Sequence, residues 1–150
     1  PDARAKLRVA AEGIARMGLR FDAIIASILP RSVETAEIFR QATSSACEVE
    51  RSERLLPEAS LEGVHELMNE EAAHASRQSA PAAAPLGAQI LLVGHQPLIG
   101  RLAADLLGFS GATIPLRTGT LVRIEVDELP PSQPGRIRWL LPLDVMIRLG

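Results

Sequence analysis

Ile90-Leu91-Leu92-Val93-Gly94-His95-Gln96-Pro97 decides how this chain folds. Four apolar residues in a row, punctuated by Gly and Pro, read as a short strand buried on both faces; the spacing predicts it over residues 89–93. Gly94 permits a close backbone approach or a positive φ. Pro97 suits a first helical turn, where its missing N–H has no partner to lose. The helix it opens is predicted to run to Leu107, with Leu98, Leu102 and Leu106 on one stripe. His95 thus stands at a strand-to-helix turn. A second stretch repeats the plan. Residues 21–26 are a short apolar strand, and Ser27-Ile28-Leu29-Pro30-Arg31-Ser32-Val33-Glu34-Thr35-Ala36 turns into a helix predicted over residues 31–41. A helix start offers free N–H groups and the positive end of a dipole, which together favour an anion. The Arg31 fork can hold two phosphate oxygens at once, and the His95 imidazole can donate to a phosphoryl oxygen. The alternatives are a solvated helix arginine and a histidine that only caps its turn.

Outward from these turns the chain alternates helices and short strands. Leu7, Ala10, Ala11, Ile14 and Gly18 recur at helical spacing, predicting a helix over residues 3–17 that Gly18 stops. Residues 47–49 form a candidate strand. Residues 61–77 form a candidate helix with Ser60 as N-cap. Residues 78–87, rich in Ala, Pro and Ser, are predicted as a surface loop. Residues 121–126 and 136–141 are two strands joined by a proline-rich connection. This alternation implies an α/β domain with a mostly parallel sheet and helices on both faces. Ligands of such sheets bind beyond the carboxyl ends of the strands, where both turns lie.

Other polar residues have simpler readings. Glu58, in the loop before the 61–77 helix, is a candidate proton donor or a solvated carboxylate. His65 and His74 match no metal-ligand pattern and are expected to be ordinary helix residues. Glu66, Glu70 and Glu71 are expected to form a polar helix face. Cys47 is expected to be a small buried residue, and Arg101 to lie outside the site.

Composition bounds the function. The 150 residues suit one domain, and 47% hydrophobic with 23% charged residues argues against disorder. A net charge of -2 gives no reason to expect nucleic acid or an anionic membrane, so any phosphate selectivity must be local. Only 3% of residues are aromatic, too few for base-stacking platforms. The single cysteine fits a cytoplasmic location, and no apolar run is long enough to span a membrane.

The two turns resemble two motifs of the histidine phosphatase superfamily. Ser27 to Ala36 is similar to its motif of a serine followed by an arginine and then a Thr-Ala pair. Leu92-Val93-Gly94-His95-Gln96-Pro97 is similar to its Val-Gly-His-Asn-Pro motif, with Gln96 in place of Asn. Length, the Leu55-Leu56-Pro57-Glu58 connection and the ending Arg136-Ile137-Arg138-Trp139-Leu140-Leu141-Pro142 resemble the small SixA-type phosphohistidine phosphatases. The resemblance implies a phosphoglycerate mutase-like three-layer α/β/α sandwich and a pocket of two arginines and two histidines with no metal or other cofactor. It implies that Arg31 and His95 are catalytic, phosphate-binding residues. It also implies a phosphorylated histidine protein, such as a histidine phosphotransfer domain, as partner and substrate. The runner-up substrates are small phosphorylated metabolites, for a phosphomonoesterase or a mutase. The expected site is shallow and open, with no large capping insertion.

The family's nucleophile is the histidine of an Arg-His-Gly that ends its first, central strand, and no Arg-His-Gly occurs here. Aligned by its motifs, the chain starts after that strand, so it is expected to be one N-terminally truncated domain over residues 1–150. Without the strand its neighbours keep unpaired backbone groups and the core keeps a slot. Each such buried group costs roughly 1–3 kcal/mol, against a domain stability of roughly 5–15 kcal/mol. Residues 1–150 alone are therefore expected not to melt cooperatively in calorimetry. The literal reading of a chain without the nucleophile is an inactive phosphate-binding or interaction module. A nucleotide-binding module is disfavoured because no Gly-rich phosphate loop is present.

Overall fold

A computed structural model describes residues 2–78, 87–129 and 131–150. The elements in chain order are α1 (Asp2–Arg16), β1 (Ala23–Ser27), α2 (Pro30–Ala42), β2 (Val49–Ser52), a 3₁₀ turn (Glu53–Leu55), α3 (Leu61–Gln78), β3 (Ile90–Val93), α4 (Leu98–Leu106), β4 (Leu121–Glu125), β5 (Arg136–Leu141) and α5 (Leu143–Leu149). Most of the loop predicted over residues 78–87 lies outside the described residues.

β1 is the hub. All five of its residues are buried, and it pairs in parallel with β2 on one side and β3 on the other. Its side chains alternate between two cores, as a strand buried on both faces must. Ile24 and Ala26 join Ala10, Ala11 and Ile14 of α1, Phe39 of α2, Leu91 of β3 and Met146 of α5. Ala23 and Ile25 join Leu55, Val64, Leu67 and Met68 of the α3 side, with Leu98 and Leu102 of α4. Helices thus cover both faces of the parallel sheet, which is the three-layer α/β/α arrangement. β4 and β5 form a separate antiparallel ribbon. Between the free edge of β3 and β4 runs a slot of about 460 Å³, lined by residues that include Ile90, Leu91, Leu121, Ile124 and Trp139.

Three sequence expectations need correction. The second strand is Val49–Ser52, displaced from residues 47–49. It is an edge strand whose Glu50 and Arg51 are exposed, so its apolar signal stops at Val49. Cys47 precedes the strand half-buried, with its thiol donating to the Phe21 carbonyl at 3.5 Å. Burial pushes that thiol up. Helix α5 was not expected, since seven residues hold too little periodicity to reveal a helix.

The third correction is Glu71, which is buried among the core residues of α3 and is not part of a polar face. Val64, Leu67, Met68 and Glu71 fall at i, i+3, i+4 and i+7, so Glu71 shares their inward stripe. Burial first, then a hydrogen bond with Glu50 of β2 and the charges of Glu50 and Glu70, raise its carboxyl to about 7. Glu70 itself is exposed and paired with Arg54.

Folding therefore holds a proton on Glu71 that the unfolded chain releases near pH 4.5. Between pH 4.5 and about 7 the folded state binds more protons, so stability falls as pH rises through that window. The purified protein is expected to lose about 1–3 kcal/mol across it. Glu71→Gln, which cannot ionise, is expected to flatten the slope, as read from urea unfolding below and above the window.

Candidate functional site

Parallel pairing brings the two turns together. Ala26 of β1 lies opposite Val93 of β3, so both strands release their chains at the same sheet edge. One chain enters α2 and the other enters the His95 turn and α4. At Gly94 the need is for close approach. A Cβ there would sit 3.1 Å from the Leu55 carbonyl oxygen and 3.0 Å from the Ile99 side chain. Glu58 lies three residues beyond Leu55 and is exposed.

The two helix starts differ. In α4 the Gln96 side chain accepts from the Gly100 N–H at 2.7 Å and donates to the Ile114 carbonyl at 3.1 Å. The Ile99 N–H is taken by the His95 carbonyl at 3.2 Å. The Gln96–Pro97 peptide is cis, and α4 begins at Leu98, one residue after the predicted start. In α2 the capping position is Leu29, no side chain caps it, and Pro30 opens the helix. Pro30 has no N–H to offer, and the Ser32 and Val33 N–H groups both go to the Leu29 carbonyl, at 3.0 and 3.2 Å.

The arginine and histidine turns meet through a residue that sequence reading did not single out. Ser32 Oγ lies 2.8 Å from His95 Nε2. Ser32 is 2% exposed and His95 is half-buried. Arg31, the preceding residue, is exposed at the mouth of the turn. The carboxylates of α2 are engaged elsewhere, Glu34 with Arg4 at 3.2 Å and Glu37 with Arg40 at 2.9 Å. Among the described residues Arg31 forms no ion pair. Its charge remains available to a bound anion beside the α2 N-terminus.

The remaining candidates lie elsewhere. His65 Nε2 pairs with Asp105 Oδ2 at 2.7 Å across α3 and α4, and Ser110 donates to the other Asp105 oxygen at 3.2 Å. His74 is exposed on α3. Arg101 is half-buried on α4 and forms no ion pair among the described residues. Among the described residues no group of three or more His, Cys, Asp or Glu side chains is placed to hold a metal, and no helix is long and apolar enough to cross a membrane.

Solved structures match this arrangement of layers and turns. The protein histidine phosphatase SixA complexed with tungstate superposes with a TM-score of 0.76 at 19% identity, over 96% of this chain and 83% of that one. The chain adopts the SixA fold. A putative phosphohistidine phosphatase SixA from Agrobacterium tumefaciens matches with a TM-score of 0.64 at 18% identity, over 95% of this chain and 82% of its own. A structure described as mycobacterial hydrolase 2 gives 0.63 at 17% identity, over 97% and 82%. No family model matches the chain, and no curated protein matches it in sequence.

Gly100 is the tightest point of this edge, since a Cβ there would strike the Ile114 carbonyl and lie 2.7 Å from Gln96 Oε1. Gly100→Ala is expected to cost about 1–3 kcal/mol by overpacking, measured as a lower urea midpoint with an unchanged m-value.

Proposed function

We propose that this chain forms the phosphate-holding part of a phosphohistidine phosphatase. The observation that supports it best is the Ser32–His95 contact, which joins two turns resembling phosphatase motifs at one sheet edge, beside an unpaired Arg31. Arg31 and His95 hold the equatorial oxygens of the transferring phosphoryl group and offset its charge. A histidine nitrogen attacks phosphorus in line, the bond from phosphorus to the substrate imidazole breaks, and that imidazole leaves with a proton. Water then attacks the covalent phosphohistidine, giving inorganic phosphate and the free enzyme. Glu58 is the candidate proton donor. An imidazole leaves more readily than an alkoxide, which lowers the demand on it. The open setting of Arg31 suits a protein side chain as substrate, such as a phosphorylated histidine phosphotransfer domain in a cytoplasmic signalling relay.

The nucleophile belongs, in this reading, to residues that precede Pro1 in the full polypeptide. Their strand occupies the slot between β3 and β4, both of which end their sheets there. Arg4 pairs with Glu34 in the second turn of α2, so the start of α1 lies beside the N-terminal half of α2. A strand lying parallel to β3 in the slot would end at the site edge, within reach of the start of α1.

The test is phosphate release by the full polypeptide from a phosphohistidine protein and from sugar phosphates. Turnover of the protein substrate is expected to dominate. Arg31→Ala and His95→Ala are each expected to lower kcat by about 10²–10³. Unchanged turnover in both variants would overturn the reading. Preference for sugar phosphates would indicate a metabolite phosphatase or mutase, and phosphate binding without turnover an inactive binding module.

A further inference from the structure

We infer that Ser32 is a positioning residue that holds His95 as the Nδ1–H tautomer, turning the Nδ1–H donor toward the bound anion. The Ser32 side chain is 2% exposed, and among the described residues its only hydrogen-bond partner is His95 Nε2, at 2.8 Å. A hydroxyl has one proton to donate and two lone pairs to accept with. If Nε2 carried the proton, Ser32 would accept and its own proton would be buried without an acceptor. If Nε2 is bare, the Ser32 O–H donates to it and nothing is stranded. Buried polar hydrogens left unpaired are costly, so the second arrangement is favoured.

The other ring nitrogen then carries the proton. His95 Nδ1 has no partner among the described residues, yet it is not among the atoms sealed from solvent without one. It is thus a donor with an open direction, on a ring whose orientation is fixed from the far side. The α2 backbone supplies the rigidity, because Ser32 sits in the first helical turn with its N–H bonded to the Leu29 carbonyl at 3.0 Å. The same turn presents Arg31. One helical turn therefore holds the cation and sets the tautomer of the histidine. The assignment of the tautomer stands on this geometry; its use against a phosphoryl oxygen rests on the proposed function.

The experiment is two-bond 1H–15N correlation spectroscopy of the histidines in the full polypeptide, three of which lie in residues 1–150, at a pH where His95 is neutral. His95→Ala assigns its signals. The wild-type protein is expected to show the Nδ1–H pattern at His95, and Ser32→Ala to shift it toward Nε2–H, with His65 and His74 unchanged. Ser32→Ala is also expected to lower kcat on a phosphohistidine protein by about 10–100-fold, as lost outer partners of metal-bound histidines do, with Ser32→Thr recovering part of it. A wild-type Nε2–H pattern overturns the proposal even if Ser32→Ala fails to fold. So does an unchanged His95 pattern in a folded Ser32→Ala. The predicted tautomer shift in a protein without phosphohistidine turnover supports the role of Ser32 and removes the functional reading alone.

Discussion

The candidate site exists because β1 and β3 run in parallel as immediate neighbours. Parallel pairing puts the carboxyl ends of both strands at one edge, and the register of Ala26 against Val93 brings those ends level. A shift of one residue would turn each β3 side chain to the opposite core. Leu91 would then leave the core shared with α1 and α2, and Leu92 would leave the side of α3 and α4. The apolar pattern that packs the layers is thus also what places Ser32 within hydrogen-bonding distance of His95. Packing and chemistry share one register.

Electrostatics refine the position within that edge. The molecule is slightly acidic overall, so its net field does not attract an anion. Any attraction has to be local, and α2 carries the unpaired cation. Its two carboxylates pair with Arg4 and Arg40, leaving the Arg31 charge without an ion pair among the described residues. Both helix starts are largely satisfied within the chain, since the Leu29 carbonyl takes the Ser32 and Val33 N–H groups while Gln96 and the His95 carbonyl take the first donors of α4. The unpaired charge at this edge is therefore the Arg31 side chain, one residue from the Ser32 that meets His95. Gln96 has a mechanical part in this, because it ties the α4 start to Ile114 and so steadies the turn that carries His95.

Much of this was legible in the sequence, for a physical reason. β1 is buried at every position and had to be an apolar run, whereas β3, read from the sequence as a buried strand, is a half-buried edge strand in which only Leu91 is buried. Leu98, Leu102 and Leu106 announced α4, and Ser60 caps α3 by accepting from the Gly63 N–H at 3.1 Å. What stayed hidden depends on distant partners. Glu71 is charged by type and buried by position, and its partner Glu50 lies on another element. His65 looked ordinary because Asp105 is 40 positions away. Ser32 and His95 are separated by 63 positions, and only the strand pairing brings them together. A local pattern shows which face a residue occupies, but not which side chain will meet it there.

The slot beside β3 links the fold to the chemistry. Among the described residues β3 is paired on one side only, and its first residues, Ile90 and Leu91, line the slot. His95 therefore hangs from an edge strand, and edge strands yield more easily than central ones. In the proposed arrangement a strand in the slot would pair with the free edge of β3, stiffen the base of the His95 turn and bring its own last residues to the same edge. Completing the sheet and completing the active site would then be one event. In that arrangement the nucleophile and the rigidity proposed to serve Arg31, Ser32 and His95 would come from the same strand.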